Sequence, residues 1–279
     1  MKFRLLCVVL LALSWTSQNA FAQDEEDVSP LSAGKAPPRI YMGPIVGYNR
    51  VMNSGGFPSF SNDVNCPTFT DGSGNGLFFG WAFEYLLGDP KTSKSSIVTR
   101  VIYDNLPSSF TQYGDRLPSL VRDAANNRDT VIFTTTQHVA EIKYTTIDLD
   151  IMYRFNLGAT PLGLTAGISP GFAMTQQAVQ KFELVQPVNA RFIRVADTVA
   201  NKPLRYENFD RTAIIRDEDI KNASAFRFAL KFGVQYEIIL RKLTLIPSLH
   251  YNVGLTNMTT TDSWKINALQ AAIEARFAL

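Results

Sequence analysis

Cysteine and histidine are scarce in this chain. It has 279 residues, of which two are Cys and two are His. Cys7 lies in an N-terminal apolar run, so only Cys66 would remain if that run were removed. A single cysteine cannot form an internal disulfide, which excludes a disulfide-stapled fold. Neither histidine has the neighbours of a metal-ligand motif or of a serine hydrolase motif.

Long apolar runs are also absent beyond the N-terminus. The run Leu5–Trp15 follows a basic start, and at about eleven residues it is too short to span a membrane as a helix. Ala20-Phe21-Ala22 then supplies the pattern after which signal peptidase cuts. We therefore predict that residues 1–22 are a secretory signal peptide. Residues 23–38, acidic and then rich in Ser, Ala, Gly and Pro, are predicted to be a flexible periplasmic leader, and residues 39–279 a single domain.

Neither sign of charge predominates. The chain has 27 basic and 25 acidic residues, and the predicted signal peptide carries Lys2 and Arg4 but no acid. The mature balance would be zero, so nucleic-acid binding, which needs a basic surface, has no support. Export excludes the cytosolic enzymes.

Alternation with a period of two dominates what remains, and the helical period is weak. From Phe226 to Leu240, apolar side chains alternate with a face that includes Arg227, Lys231 and Glu237. Two such faces cannot both meet water or both meet one core. The predicted strands are Ile40–Val51, Leu77–Leu87, Ile97–Leu106, Ile147–Phe155, Leu162–Ala173, Phe226–Leu240, Leu243–Val253 and Leu269–Phe277.

The faces favour a membrane barrel over its soluble competitors, a β-sandwich and a lipocalin-like barrel. Several polar faces are rich in Gly, Ala, Ser and Thr, which suits a narrow barrel interior, whereas the apolar faces are long and aromatic. Connections alternate between short and long, as in outer-membrane barrels with periplasmic turns and extracellular loops. The short ones are Gly88–Lys94, Asn156–Pro161 and Arg241-Lys242, and the long ones are Met52–Asn75, Pro107–Val139 and Gln176–Ala223.

Aromatic residues recur at one end of the strands that descend towards the predicted periplasmic side. An eight-stranded barrel places both termini there, and aromatics at one height are typical of a girdle at the lipid interface. The predicted interface aromatics are Tyr85, Tyr153, Phe155, Tyr236 and Phe277.

On these patterns, residues 38–279 resemble eight-stranded outer-membrane β-barrels of the type shared by the OmpA transmembrane domain and the outer membrane protein beta-barrel families of Bacteroidota and related bacteria. The end of the chain is similar to the signal that the barrel-assembly machinery recognises, although the aromatic is Phe277 rather than the last residue. The resemblance implies location in the cell outer membrane, contact with outer-membrane lipid, and assembly by that machinery. We expect no peptidoglycan-binding domain after the last strand.

The polar faces carry a set of charges predicted to point into the lumen. Because buried charges must be paired, we interpret them as a salt-bridge network that plugs the barrel. A sharper hypothesis takes Asp148 and Asp150 as a carboxylate pair for acid–base or metal chemistry, with Arg154 on the same face. The predicted lumen set is Glu84, Arg100, Asp104, Asp148, Asp150, Arg154, Arg227, Lys231, Glu237, Glu274 and Arg276.

The two histidines and one glycine-rich segment are further candidate sites. A lipid A-modifying enzyme would need a histidine that faces lipid near the outer rim, and His250 is predicted to face the lumen while His138 lies where a long connection rejoins the barrel. Asp71–Gly76 resembles a calcium-binding turn but equally fits a flexible hairpin loop. No catalytic residue, cofactor or metal is assigned.

The expected function is non-enzymatic. A plugged outer-membrane barrel would serve envelope structure, adhesion or recognition of an extracellular ligand through its loops, above all Gln176–Ala223, whose aromatic and charged residues suggest ordered strand extensions. A narrow porin-like channel is the first alternative and a lipid A-modifying enzyme the second.

Overall fold

The computed structural model describes residues 38–58, 68–158, 160–194, 204–240 and 243–279. The predicted signal peptide, nearly all of the leader, Cys66 and the Arg241-Lys242 turn lie outside these residues. Within the described part of the chain, no helix is long and apolar enough to cross a membrane. The strands are β1 (Ile40–Ser54), β2 (Gly56–Phe57), β3 (Phe69–Thr70), β4 (Ser73–Leu86), β5 (Ser95–Asn105), β6 (Ser108–Asp123), β7 (Asp129–Asn156), β8 (Leu162–Gln186), β9 (Ala190–Arg191), β10 (Arg205–Glu207), β11 (Thr212–Asp219), β12 (Phe226–Tyr236), β13 (Ile238–Leu240), β14 (Leu243–Gly254) and β15 (Lys265–Ala278).

Eight of these strands form a closed ring. Each pairs antiparallel with the next in the order β1, β4, β5, β7, β8, β12, β14 and β15. The last then pairs with β1, from Tyr41 opposite Ala278 to Ser54 opposite Lys265. Every predicted strand belongs to this ring, so the prediction of an eight-stranded, antiparallel, up-and-down barrel is confirmed.

The period-two alternation sets which residues face the lumen. On β1, Val46 is 60% exposed on the outside, whereas Asn49 is fully buried inside. Small residues let the strands approach where the ring closes. A Cβ atom on Gly43 would lie 1.8 Å from the carbonyl oxygen of Ala275, so only glycine fits at this point of the β1–β15 pairing.

The predicted long connections contain more β-structure than the sequence indicated. In Pro107–Val139, β6 and the first half of β7 form a long hairpin, with residues 124–128 between them. The sequence signal is weak here because both faces of this hairpin mix polar and apolar residues, as a solvated ribbon allows. Gln176–Ala223 contains the end of β8 together with β9, β10 and β11, as its composition suggested.

The glycine-rich segment Asp71–Gly76 is also not the loop that we expected. Ser73–Gly76 belongs to β4 and pairs with β1. A Cβ atom on Gly74 would lie 1.9 Å from the carbonyl oxygen of Pro107, so the glycine serves close approach of two backbones.

We expect G43V to prevent barrel closure, because the new side chain would collide with the β15 backbone. The measurement is gel mobility of detergent-refolded protein with and without boiling, since a closed barrel resists SDS until heated. V46A, on the outer face of the same strand, is the control and should keep the heat-dependent shift. A normal shift for G43V would contradict the closure geometry.

Candidate functional site in the lumen and the extension

The predicted lumen charges converge inside the barrel. Glu237, between β12 and β13, is the exception in burial, since a quarter of its side chain is exposed. The others are 5% exposed or less: Glu84, Arg100, Asp104, Asp148, Asp150, Arg154, Arg227, Lys231, Glu274 and Arg276.

Near the short turns, arginines and glutamates alternate around the lumen wall. Arg276 on β15 bridges Glu84 on β4 and Glu274, and its Nε lies 2.8 Å from Glu274 Oε2. Arg100 on β5 pairs with the same Glu274. Arg154 on β7 donates to Glu84 over 3.1 Å, and it also pairs with Glu237. Each guanidinium therefore lies against a carboxylate, which offsets the desolvation that burial imposes.

Towards the loop end, single pairs replace the cluster. Lys231 Nζ lies 2.6 Å from Asp150 Oδ2, and the hydroxyl of Ser169 donates to the other oxygen of that carboxylate over 2.7 Å. Arg227 Nη1 lies 3.2 Å from Asp148 Oδ2.

Asp104 lies in the same half of the lumen and is held differently. It accepts hydrogen bonds from two neutral amides, those of Asn49 and Gln270, the latter over 3.0 Å. Gln270 also donates to Asn49 over 2.9 Å, so the three side chains form a closed triangle between β5, β1 and β15.

The hypothesis of an acid–base pair at Asp148 and Asp150 needs carboxylates that a substrate can reach. Both are at most 1% exposed, and each is bonded to a cation on β12. Across the described ranges, no group of three or more His, Cys, Asp or Glu side chains is placed to hold a metal ion. The geometry favours a structural role for both carboxylates.

An aromatic cluster that the sequence analysis did not foresee closes the lumen at the loop end. The paired strands β2 and β3 place Phe57 and Phe69 at the barrel mouth, where the ring of Phe57 lies 4.5 Å from that of Trp264 and 4.9 Å from that of Phe110. The indole of Trp264 donates to Asn53 over 2.8 Å. All four rings are at most 1% exposed. The available signal was the presence of these aromatics outside the predicted strands.

The outer face carries a belt of exposed apolar side chains. On β7 this belt runs from Ile147 to Phe155, in keeping with the roughly 9–11 residues that a tilted strand needs to cross a membrane. Four of the predicted interface aromatics lie outward with 44–47% exposure, and Tyr236 is partly exposed: Tyr85, Tyr153, Phe155, Phe277 and Tyr236.

Above the belt on β7 and β8, the outer face becomes polar. We call this zone the polar collar and define it as Gln137, Glu141, Lys143, Gln177, Lys181 and Glu183. Lys181 Nζ lies 2.6 Å from Glu141 Oε1, and Gln137 donates to Glu183 over 2.6 Å. Charged and amide side chains of this kind belong in water, so the collar marks where the apolar belt ends.

Beyond the collar, the hairpin of β6 and β7 carries a second exposed apolar surface. We call it the tip patch and define it as Leu120, Val131 and Phe133, each 59–64% exposed. Leu120 pairs with Val131 across the hairpin. The guanidinium of Arg116 lies 5.5 Å from the centre of the Phe133 ring. At the end of the hairpin, the hydrogen bond from Arg122 holds the pKa of the exposed Asp129 carboxyl below its usual range.

Neither histidine faces the lipid belt near the outer rim. His250 on β14 is 2% exposed and lies in the lumen, as predicted from its strand position. His138 lies on β7 above the belt, and its ring is 4.7 Å from that of Phe182 on β8.

We expect R276M to destabilise the barrel by about 3–5 kcal/mol, because it leaves Glu84 and Glu274 buried with one cationic partner fewer. The measurement is urea unfolding of the protein in lipid vesicles. The control is R122M, which removes a guanidinium from an exposed pair with Asp129 and should leave the unfolding midpoint unchanged. Equal midpoints for the two variants would contradict a stabilising lumen network.

No protein-family model matches this chain. Among curated proteins there is likewise no match. Solved structures give distant likenesses. Neisserial surface protein A is 12% identical over 86% of this chain and 97% of its own, with a TM-score of 0.32. The attachment invasion locus protein Ail of Yersinia pestis is 11% identical over 86% and 99%, with a TM-score of 0.34. The outer membrane protease OmpT of Escherichia coli is 6% identical over 87% and 97%, with a TM-score of 0.32.

Proposed function

We propose that this protein is an integral outer-membrane β-barrel with a closed lumen, which carries a β-sheet extension on the cell surface for adhesion or ligand recognition. The observation that supports this proposal is the difference between the inner and outer faces of the barrel wall. Paired charges fill the inside, and exposed apolar side chains cover the outside in a continuous belt. A soluble barrel or sandwich has the opposite arrangement.

The energetic argument for lipid is direct. Burial of one Leu, Ile or Phe side chain stabilises by about 1.5–3 kcal/mol. Outward Phe79, Trp81 and Ile151 are each about two-fifths or more exposed, and each barrel strand carries similar residues. In water the belt would be an aggregation surface far larger than a monomer exposes, whereas in a bilayer it meets hydrocarbon.

Two barriers in series support a non-conducting barrel. The arginine and glutamate cluster fills the lumen near the short turns, and the Phe57, Phe69, Phe110 and Trp264 cluster closes the loop end. An eight-stranded barrel is only wide enough for side chains to fill its interior.

The tip patch supports recognition as the role of the extension. Large apolar side chains exposed together in an aqueous region mark interaction sites, and aromatic residues with arginine are enriched at such interfaces. The polar collar separates this patch from the lipid belt, so lipid does not account for it.

A narrow channel is the second candidate, because of three side chains along β14. Polar atoms of Ser248, His250 and Asn252 face the lumen without a hydrogen-bond partner among the described residues. They are positioned to bind water. A water path connecting them to both mouths would favour conduction, and the paired charges and aromatic cluster oppose it.

An enzymatic role has less support. A lipid A-modifying enzyme needs a reactive group at the lipid-facing rim, and the two histidines are placed in the lumen and against Phe182. We therefore propose that the protein is not an enzyme. Unchanged lipid A in cells that overproduce it is the expected result.

The proposed orientation predicts which end of the barrel is outside the cell. In a C66S background, V131C on the tip patch should react with a membrane-impermeable maleimide on intact cells, because the extension projects outward. The matched variant K91C, in the short turn after β4, should react only after the outer membrane is permeabilised. Labelling of K91C on intact cells would reverse the orientation.

We expect the wild-type protein to give no discrete openings in planar bilayers. The double variant F57A/W264A should also stay closed, because it removes the aromatic barrier and leaves the arginine and glutamate cluster in place. Regular openings of the wild-type protein would replace the closed barrel with the channel.

A further inference from the structure

The apolar belt is not uniform. On the side formed by β7, β8, β12, β14 and β15, it contains a groove of about 610 Å³. Tyr153, Phe155, Phe232 and Tyr251 contribute aromatic rings to its lining.

Strand register explains why a groove forms here. The outward residues of one row across the sheet are Tyr153, Ala166, Phe232, Tyr251 and Leu269. Ala166 is thus a single methyl group between two aromatic side chains. Neighbouring strands are about 4.8 Å apart, so Tyr153 and Phe232 stand about 10 Å apart with a slot between them.

The groove begins at the lower edge of the belt on β7 and β8 and extends towards the loop end at Tyr251 on β14 and Leu269 on β15. Tyr153 is near the end of β7 at Asn156, and Leu164 is near the start of β8 at Leu162. Both strand ends belong to the short-turn side, which the proposed orientation places in the periplasmic leaflet. That leaflet of an outer membrane consists of phospholipid.

We propose that this groove binds one acyl chain of a phospholipid of the periplasmic leaflet. The assignment rests on the proposed membrane location, because the groove is continuous on its sides with the surface that meets lipid. Its lining contains no Asp, Glu, Lys or Arg. A hydrocarbon chain seated in the slot contacts rings on both sides, and these dispersion contacts are lost where lipid bridges over a void.

The end of the groove at Tyr153 is suited to a lipid headgroup on the periplasmic side. Tyr153 belongs to the predicted interface girdle, where a phenol places its ring in hydrocarbon and its hydroxyl at headgroup level. A chain that enters the slot from this end would keep its ester groups beside that hydroxyl. This distinguishes a phospholipid of the lower leaflet from a lipopolysaccharide chain, which would have to enter from the loop end.

The test is native mass spectrometry of the full-length protein, purified in detergent and exchanged into mixed micelles that contain palmitoyl-oleoyl phosphatidylethanolamine. The wild type should retain phospholipid after delipidation. A166F should lose it, because a phenyl ring fills the slot. T99F is the control, since Thr99 lies outward on β5, outside the groove, between the paired residues Phe83 and Ile151.

Retention by A166F equal to that of the wild type and T99F would overturn the proposal, as would a wild type without phospholipid. If the wild type retains lipopolysaccharide instead of phospholipid, the proposal is overturned and the groove is a lipopolysaccharide site. If the wild type is a dimer that the A166F substitution dissociates, the proposal is overturned and the groove binds a second copy of the chain. Heat-dependent gel mobility is recorded for every variant, so failure of the barrel itself is distinguished from failure of the site. If A166F does not fold, the smaller A166L tests the same slot.

Discussion

The rest of the structure depends on the pairing of β1 with β15. A sheet in lipid has no water to satisfy the hydrogen-bonding groups of its edges, so the first and last strands must find each other. Glycine at position 43 lets the two backbones approach. Once the ring is closed, one face of every strand is enclosed. The polar and apolar side chains that alternate along each strand then point into the lumen and to the exterior, respectively.

Closure in turn makes the lumen charges interdependent. Arg276 forms ion pairs with two carboxylates, and one of these, Glu274, also pairs with Arg100. Each of these groups is buried at a cost that only its partners offset, so the cluster ties β4, β5 and β15 together through their side chains. The arrangement specifies one register for the ring, because a shift by one residue would turn every charge towards lipid.

The barrel and the positions of its inward charges could be predicted from the sequence because a strand with two different environments must alternate. The β6–β7 hairpin could not, since both of its faces meet water in part and its pattern is mixed. The aromatic cluster was missed for another reason. Phe57, Phe110 and Trp264 lie in three separate segments, and no local pattern brings them together. The groove at Ala166 is likewise a property of register, because its neighbours Tyr153 and Phe232 belong to other strands.

The composition of the aromatic cluster also bears on the order of assembly. Its Phe57 and Trp264 are contributed from opposite ends of the chain, and they can meet only when the terminal strands have joined. During insertion the barrel would therefore be open to water at its outer end, and its charged side chains could stay hydrated until they find their partners. The lumen would then lose its water last, after the barrel wall is complete. The folding chain would therefore not have to move unpaired charged side chains through hydrocarbon.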